Sequence, residues 1–329
     1  MMRLICCVVL FAAVGCSSPA PPKPAAASAA PAAPTVVPLP PEFGRYWLQG
    51  KAELTSYDLR QARYGELHQG TAVLIFVTED LSRAKQVKLD SPGAAPAGER
   101  VPVLKLNFDK KFLTGIYPYS VFTSTYTPLD AAANPHTLKT STSVQEWCGH
   151  IFTQLNLRPE GGYAVSQKSY FESEGDRETS LPPTLLEDEL WNRIRLNPST
   201  LPTGRLRLLP GTVYSRLQHQ PLTVREATAT LGAAPANRRF GFPTPVLAYT
   251  LTYAGEPART LAIYFGQAFP HHILGWDETY LDRAGAGAGR QLTSSAARRR
   301  TIQLDYWRTH TNSDAGWRDS LGLDHRLNG

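Results

Sequence analysis

From about residue 42 onward, apolar and polar positions alternate with a period of two, the pattern of strands that bury one face. Residues 51–57 open this pattern. Residues 70–78 are apolar on both faces and predict a central strand covered on both sides. The pattern resumes over 101–108, then over 116–127 as a long aromatic strand in which Pro118 marks an edge or bulge. The densest polar and aromatic run is 143–157, read with 139–142 as one strand. On that reading one face carries Trp147, Ile151 and Leu155, and the other aligns Glu146, Cys148 and His150. Gly161-Gly162 turns the chain into a strand over 163–172, and further strands are predicted over 206–209, 213–217, 223–231, 246–253, 260–265, 273–278 and 301–307.

The period changes to 3.6 over 184–196, where Leu186, Leu190 and Ile194 share a face with Trp191 beside them. Thr184 followed by Glu187 has the spacing of a capping box, and Pro198 stops the helix. Glu187, Asp188 and Arg195 are expected to remain in water, and a short final helix is expected around 313–321. Many short strands without βαβ alternation predict a mainly β, antiparallel architecture, as a curved sheet, sandwich or open barrel. The helix would join two β halves, 42–180 and 205–310, of a globular region spanning 42–329.

Residues 1–15 break this pattern: Arg3 precedes an apolar run shorter than the roughly 20 residues a spanning helix needs. Its size is that of a secretory leader. It ends Ala13-Val14-Gly15-Cys16, which resembles a bacterial lipobox, so Cys16 is expected to be acylated and to tie the chain to a membrane. Each buried lipid methylene contributes about 0.8 kcal/mol, which makes a multi-chain anchor lasting. Residues 16–41 then form a lipidated Pro/Ala-rich tether, biased to polyproline II at about 3.1 Å per residue. Ser17 stands where an inner-membrane retention aspartate would be, and no acidic cluster follows. The expected location is therefore the outer membrane, facing the periplasm.

The formal charge of +6 drops by one when Arg3 leaves. The cations are scattered except for Arg298-Arg299-Arg300, read as a solvated loop or strand end, so nucleic acid is not an expected partner. Of the 4 cysteines, Cys6 and Cys7 leave with the leader and Cys16 carries lipid. Cys148 is left without a disulfide partner. No cofactor or metal is expected. His271 and His272 would point to opposite faces of a strand, and no His-Glu-x-x-His, phosphate loop or nucleophile elbow is present.

Same-face strand neighbours lie about 6.5–7 Å apart, so Cys148 would approach His150. A cysteine nucleophile also needs a third group to orient its base, and Glu146 would lie on the wrong side of Cys148 for that. The expected state of Cys148 is a buried, unreactive thiol. The alternative is a periplasmic hydrolase or thiol enzyme using Cys148, His150 and Glu146. The main expectation is a non-enzymatic envelope lipoprotein binding a lipid, glycan or protein through a sheet surface, with Tyr117, Tyr119, Tyr126 and Trp147 as candidate contacts.

The runs Gln61-Ala-Arg-Tyr-Gly-Glu66, Phe76-Val-Thr-Glu-Asp80, Gly115-Ile-Tyr-Pro-Tyr119, Gln145-Glu-Trp-Cys-Gly-His150, Ser169-Tyr-Phe-Glu172, Leu186-Glu-Asp-Glu-Leu-Trp191 and Ile273-Leu-Gly-Trp276 resemble an uncharacterised family of Bacteroidota lipoproteins. The resemblance covers nearly all of the region after the tether and implies an envelope lipoprotein without implying an activity. Members are sometimes labelled septum formation inhibitor Maf. The Ser-x-Arg-Arg phosphate motif of Maf proteins is missing near the start of this chain, and a leader would carry the chain away from nucleotide pools.

Overall fold

The computed structural model describes residues 41–235, 245–255, 259–283, 285 and 289–323. The expected leader, Cys16 and the expected tether up to residue 40 lie outside these residues. A short helix the pattern did not predict, α1 (Pro41–Trp47), buries Phe43 and Trp47. A meander of eight strands follows: β1 (Ala52–Arg63), β2 (Glu66–Ser82), β3 (Arg100–Thr114), β4 (Tyr117–Pro128), β5 (Lys139–Glu146), β6 (Gly149–Leu157), β7 (Tyr163–Lys168) and β8 (Arg177–Leu181). The chain then makes a two-residue strand, β9 (Leu185–Leu186), a 3₁₀ turn over Glu187–Glu189, and helix α2 (Leu190–Leu196). Strand β10 (Gly204–Leu209), helix α3 (Thr212–Leu217) and strands β11 (Arg225–Ala233), β12 (Val246–Tyr253), β13 (Thr260–Gly266), β14 (Ile273–Asp282) and β15 (Arg290–Leu304) complete the sheet, and α4 (Trp317–Ser320) follows.

The fifteen strands among the described residues belong to one sheet, in the order β8-β7-β6-β5-β4-β3-β2-β1-β15-β14-β13-β12-β11-β10-β9. Neighbours are antiparallel except β9 and β10. The fold class is thus mainly β and antiparallel, realised as one open, curled sheet. The two terminal strands, β8 and β9, are consecutive in the chain, joined through Pro182, Pro183 and Thr184. That connection makes the sheet curl. Leu155, Tyr163 and Val165 near one end consequently share a core with Leu186 and Leu209 at the other.

Helix α2 fills the curl. Leu190, Trp191 and Ile194 pack with Leu74, Phe108, Tyr249, Ile263 and Trp276 in the main core. The rings of Phe108, Trp191 and Trp276 meet edge to face at 5.1–5.3 Å, an arrangement favoured by the ring quadrupoles. On the other side of the sheet, Leu321 and Leu323 cover Leu54, Val73 and Val77, which is why β2 is apolar on both faces.

Four expectations are corrected. The strand read over 139–157 is a hairpin: Glu146 pairs with Gly149, leaving Trp147 and Cys148 as a two-residue turn. Neither residue is a turn former, so the alternation ran through the turn unnoticed. The helix read over 184–196 begins at Leu190, because Leu185 and Leu186 pair with Leu208 and Leu209 at the sheet end. The Thr184 capping box does not form, since the Thr184 hydroxyl donates to the Leu185 carbonyl. Residues 213–217 lie in helix α3. The arginine triplet sits within β15 beside β1, where Arg299 meets Asp58 at 2.7 Å.

Glu187 and Arg195 are buried instead of hydrated, as is Glu189 beside them, and Asp188 is half-buried. The α2 region satisfies their charges internally. Arg195 makes a two-pronged contact with Glu53 of β1, its Nη2 2.6 Å from Oε2. Arg259, just before β13, does the same with Glu187 at 2.6 Å and also meets Glu278 at 2.6 Å. Such pairing is the usual condition for charge inside a core.

Candidate functional site

The hairpin turn removes the shared strand face on which catalysis was weighed: Glu146 ends β5, Cys148 lies in the turn and His150 lies on β6. Cys148 is an exposed free thiol, not the buried one expected. The backbone N–H of Cys148 donates to Glu146 Oε2 at 2.7 Å, and that carboxylate, by hydrogen bond and charge, pushes the thiol above its ordinary range. Reactive cysteines need the opposite field. His150 is an exposed residue of β6, opposite Gln145. The candidate aromatic contacts do not form one surface. Tyr119 is in the core, stacked on Phe112 at 4.8 Å, with Tyr117 packed beside it. Tyr126 packs on the opposite face, against Leu81, Val101, Val103 and Leu138. Trp147 is 67% exposed, its ring 6.3 Å from that of Tyr117.

A groove of about 610 Å³ opens where the curled sheet fails to close. Its floor is the inner face of β6, β7 and β8, including Ile151, Thr153, Gln167 and Thr179. Its opposite wall is α3 and the turn after it, from Thr212 to Thr223. Many of its side chains end in hydroxyls or amides, while Ile151, Leu181, Pro221, Leu222 and the aliphatic parts of the polar residues make most of the exposed surface apolar.

At the mouth, Glu174 holds three partners. Its Oε1 lies 3.1 Å from Arg216 Nη1 and 2.7 Å from His219 Nδ1. Its Oε2 accepts from Ser169 Oγ at 2.6 Å. Burial alone would raise the Glu174 carboxyl, but these hydrogen bonds and the Arg216 charge outweigh it and hold it below the usual range. His219 sits in left-handed backbone, φ 50°. In a serine triad the imidazole lies between hydroxyl and acid. Here the carboxylate lies between Ser169 and His219, so the cluster is arranged to position groups and not to activate the serine.

The α3 wall is pinned from behind. Asp188 Oδ2 accepts from the backbone N–H of Thr212 at 3.1 Å and from its hydroxyl at 2.7 Å. The Thr212 hydroxyl continues to Thr142 at 2.6 Å, and Thr142 to Thr123 at 2.9 Å. At Gly211 a Cβ would press on the Glu187 carboxylate, 2.6 Å from Oε1, which Arg259 holds in place. Burial first, and then Glu187, pushes the Asp188 carboxyl up to about 6 against the Thr212 hydrogen bonds. Beside it lies a cavity of about 40 Å³ lined by Lys110, Glu278 and Trp276. Burial lowers the Lys110 amine, which rests over the Phe108 ring at 4.6 Å. That cavity is of a size for water molecules, whereas the groove has room for a ligand.

Fold and groove together define an open, curled antiparallel sheet with an uncapped seam. Among solved structures, the chain is similar to a beta-barrel-like protein from Brucella abortus, a domain of unknown function (DUF1849), at 9% identity, 77% of this chain, 96% of that one and a TM-score of 0.43. No model of a protein family matches the chain, and no curated protein matches it. The groove residues Glu174, Arg216 and His219 carried no motif in the sequence. Glu174 fell between a predicted strand and the predicted helix, Arg216 inside a predicted strand and His219 in the connection after it, so nothing in the pattern grouped them.

Proposed function

We propose that the protein is a cell-envelope lipoprotein, anchored through Cys16 and facing the periplasm, that binds an elongated envelope polymer in the groove between β6–β8 and α3. The observation that carries this reading is the groove itself, about 610 Å³ on the inner face of the sheet at its open seam. Its many hydroxyl and amide partners suit a ligand that is polar along its length, a glycan or a polypeptide segment. They suit a lipid acyl chain poorly, because that would leave those partners unpaired. The lipobox-like run and the Pro/Ala tether support the location.

The test is a photo-crosslinking residue placed at Gln167 on the groove floor, or at Phe152 on the exposed face of neighbouring β6, in cells producing the full chain. Adducts from position 167 and none from 152 are expected. Equal adducts from both, or none from 167, refute the groove. Separately, Cys16→Ala should release the protein from the membrane pellet, and retention there refutes the anchor.

A further inference from the structure

We propose that β8 accepts an extended polypeptide segment as an added strand along the groove. This inference rests on the groove reading above and names its ligand class. Strand β8 ends the sheet and pairs with β7 alone among the described residues. Arg177, Glu178, Thr179 and Ser180 are exposed. Alternate residues of an antiparallel edge strand turn both N–H and C=O away from their neighbour. Five residues at about 3.4 Å each make an open edge of roughly 17 Å. Such a row is a template that another extended backbone satisfies. A glycan lacks donors and acceptors at that repeat.

The groove places side-chain contacts beside the edge. Arg177, Thr179 and Leu181 face its interior. Pro182 and Pro183 end β8 and close the edge on that side, so an added strand has a defined limit. Arg216 lines the groove with its side chain 9% exposed. Its Nη1 is held by Glu174, and its Nε has no hydrogen-bond partner among the described residues. Arg177 donates to the Ser173 carbonyl and has no carboxylate partner among the described residues. Arg216 is already paired with Glu174, so exposed Arg177 is the cation that favours an incoming segment carrying an acidic residue. The chain's own tether is unsuited to the edge, because its prolines lack the N–H that pairing needs. The partner is therefore another polypeptide: extended, poor in proline and acidic.

A pool of random ten-residue peptides is selected on the purified mature protein, and the tightest binders are resynthesised. Hydrogen exchange at the amides of residues 177–181 is read with and without each peptide. Slowed exchange there is expected. N-methylation of alternate peptide amides, in one of the two registers, should weaken binding at least about tenfold, equivalent to about 1.4 kcal/mol. Glu or Asp should be enriched. If binders shift groove signals but tolerate N-methylation in both registers, strand addition is overturned while the groove reading stands. A glycan adduct at position 167 has the same consequence. Failure to enrich any peptide overturns the proposal.

Discussion

Replacing Arg195 by Met tests whether the buried ion pair fastens α2 inside the curl. Arg195 and Glu53 are each 1% exposed and meet through both guanidinium nitrogens. Arg195 Nε also donates to the Pro270 carbonyl at 2.8 Å, and the guanidinium lies 4.9 and 4.8 Å from the Trp47 and Phe76 rings. Arg195→Met keeps most of the volume but leaves the Glu53 carboxylate with Tyr46, Thr55 and His272 as its remaining side-chain contacts. Removing one partner of a buried pair costs about 3–5 kcal/mol. Glu53→Met should cost a similar amount, since it strands the arginine. The double variant leaves no orphaned charge and should cost less than the sum of the singles by at least about 2 kcal/mol. Urea unfolding at neutral pH measures all three. Additive costs would refute the pairing.

The pH dependence gives a second reading of the same pair. Burial pushes the Glu53 carboxyl up, but the Arg195 charge and hydrogen bonds, helped by His272, hold it well below the ordinary 4.5. The unfolded chain therefore binds this proton more readily. The contribution is fully present above about pH 4.5 and is lost as the pH falls below it. The double variant should lose stability less steeply on acidification.

Three further outcomes are expected. Asp188 titrates near 6 when folded, above the 3.8 of the free side chain, so stability should fall as pH rises from about 4 to 6; Asp188→Asn should remove that fall, and parallel curves would contradict it. Leu190→Ala, at a fully buried position, should cost about 2–5 kcal/mol, against about 0.5 or less for exposed Leu113→Ala; equal melting temperatures would mean that α2 is not packed in the core. Cys148 should react with a thiol reagent as completely in the native as in the denatured protein, and faster at pH 8 in Glu146→Gln, which removes the charge holding the thiol up. Native protection would refute the turn geometry.

The β class followed from the chain alone, because a period of two with Gly and Pro punctuation can bury one face only as strands. The double-sided burial of β2 was legible for the same reason, and so was the apolar stripe Leu190, Trp191 and Ile194. Other features depend on partners distant in sequence. Leu185 and Leu186 joined the sheet because β10 offered a free edge, and that pairing outcompeted a local helix signal. Arg195 and Glu187 look like the solvated face of a helix until Glu53 and Arg259 arrive from distant strands to neutralise them. The turn at Trp147-Cys148 was set by the β5–β6 register, which the alternation cannot mark when turn residues carry no Gly, Asn or Pro. The groove was least legible. It exists because β8 and β9 adjoin in the chain yet do not pair, and its Glu174, Arg216 and His219 meet only when the sheet curls. Periodicity records which side of a strand is buried. Closure of the curl decides what that side faces.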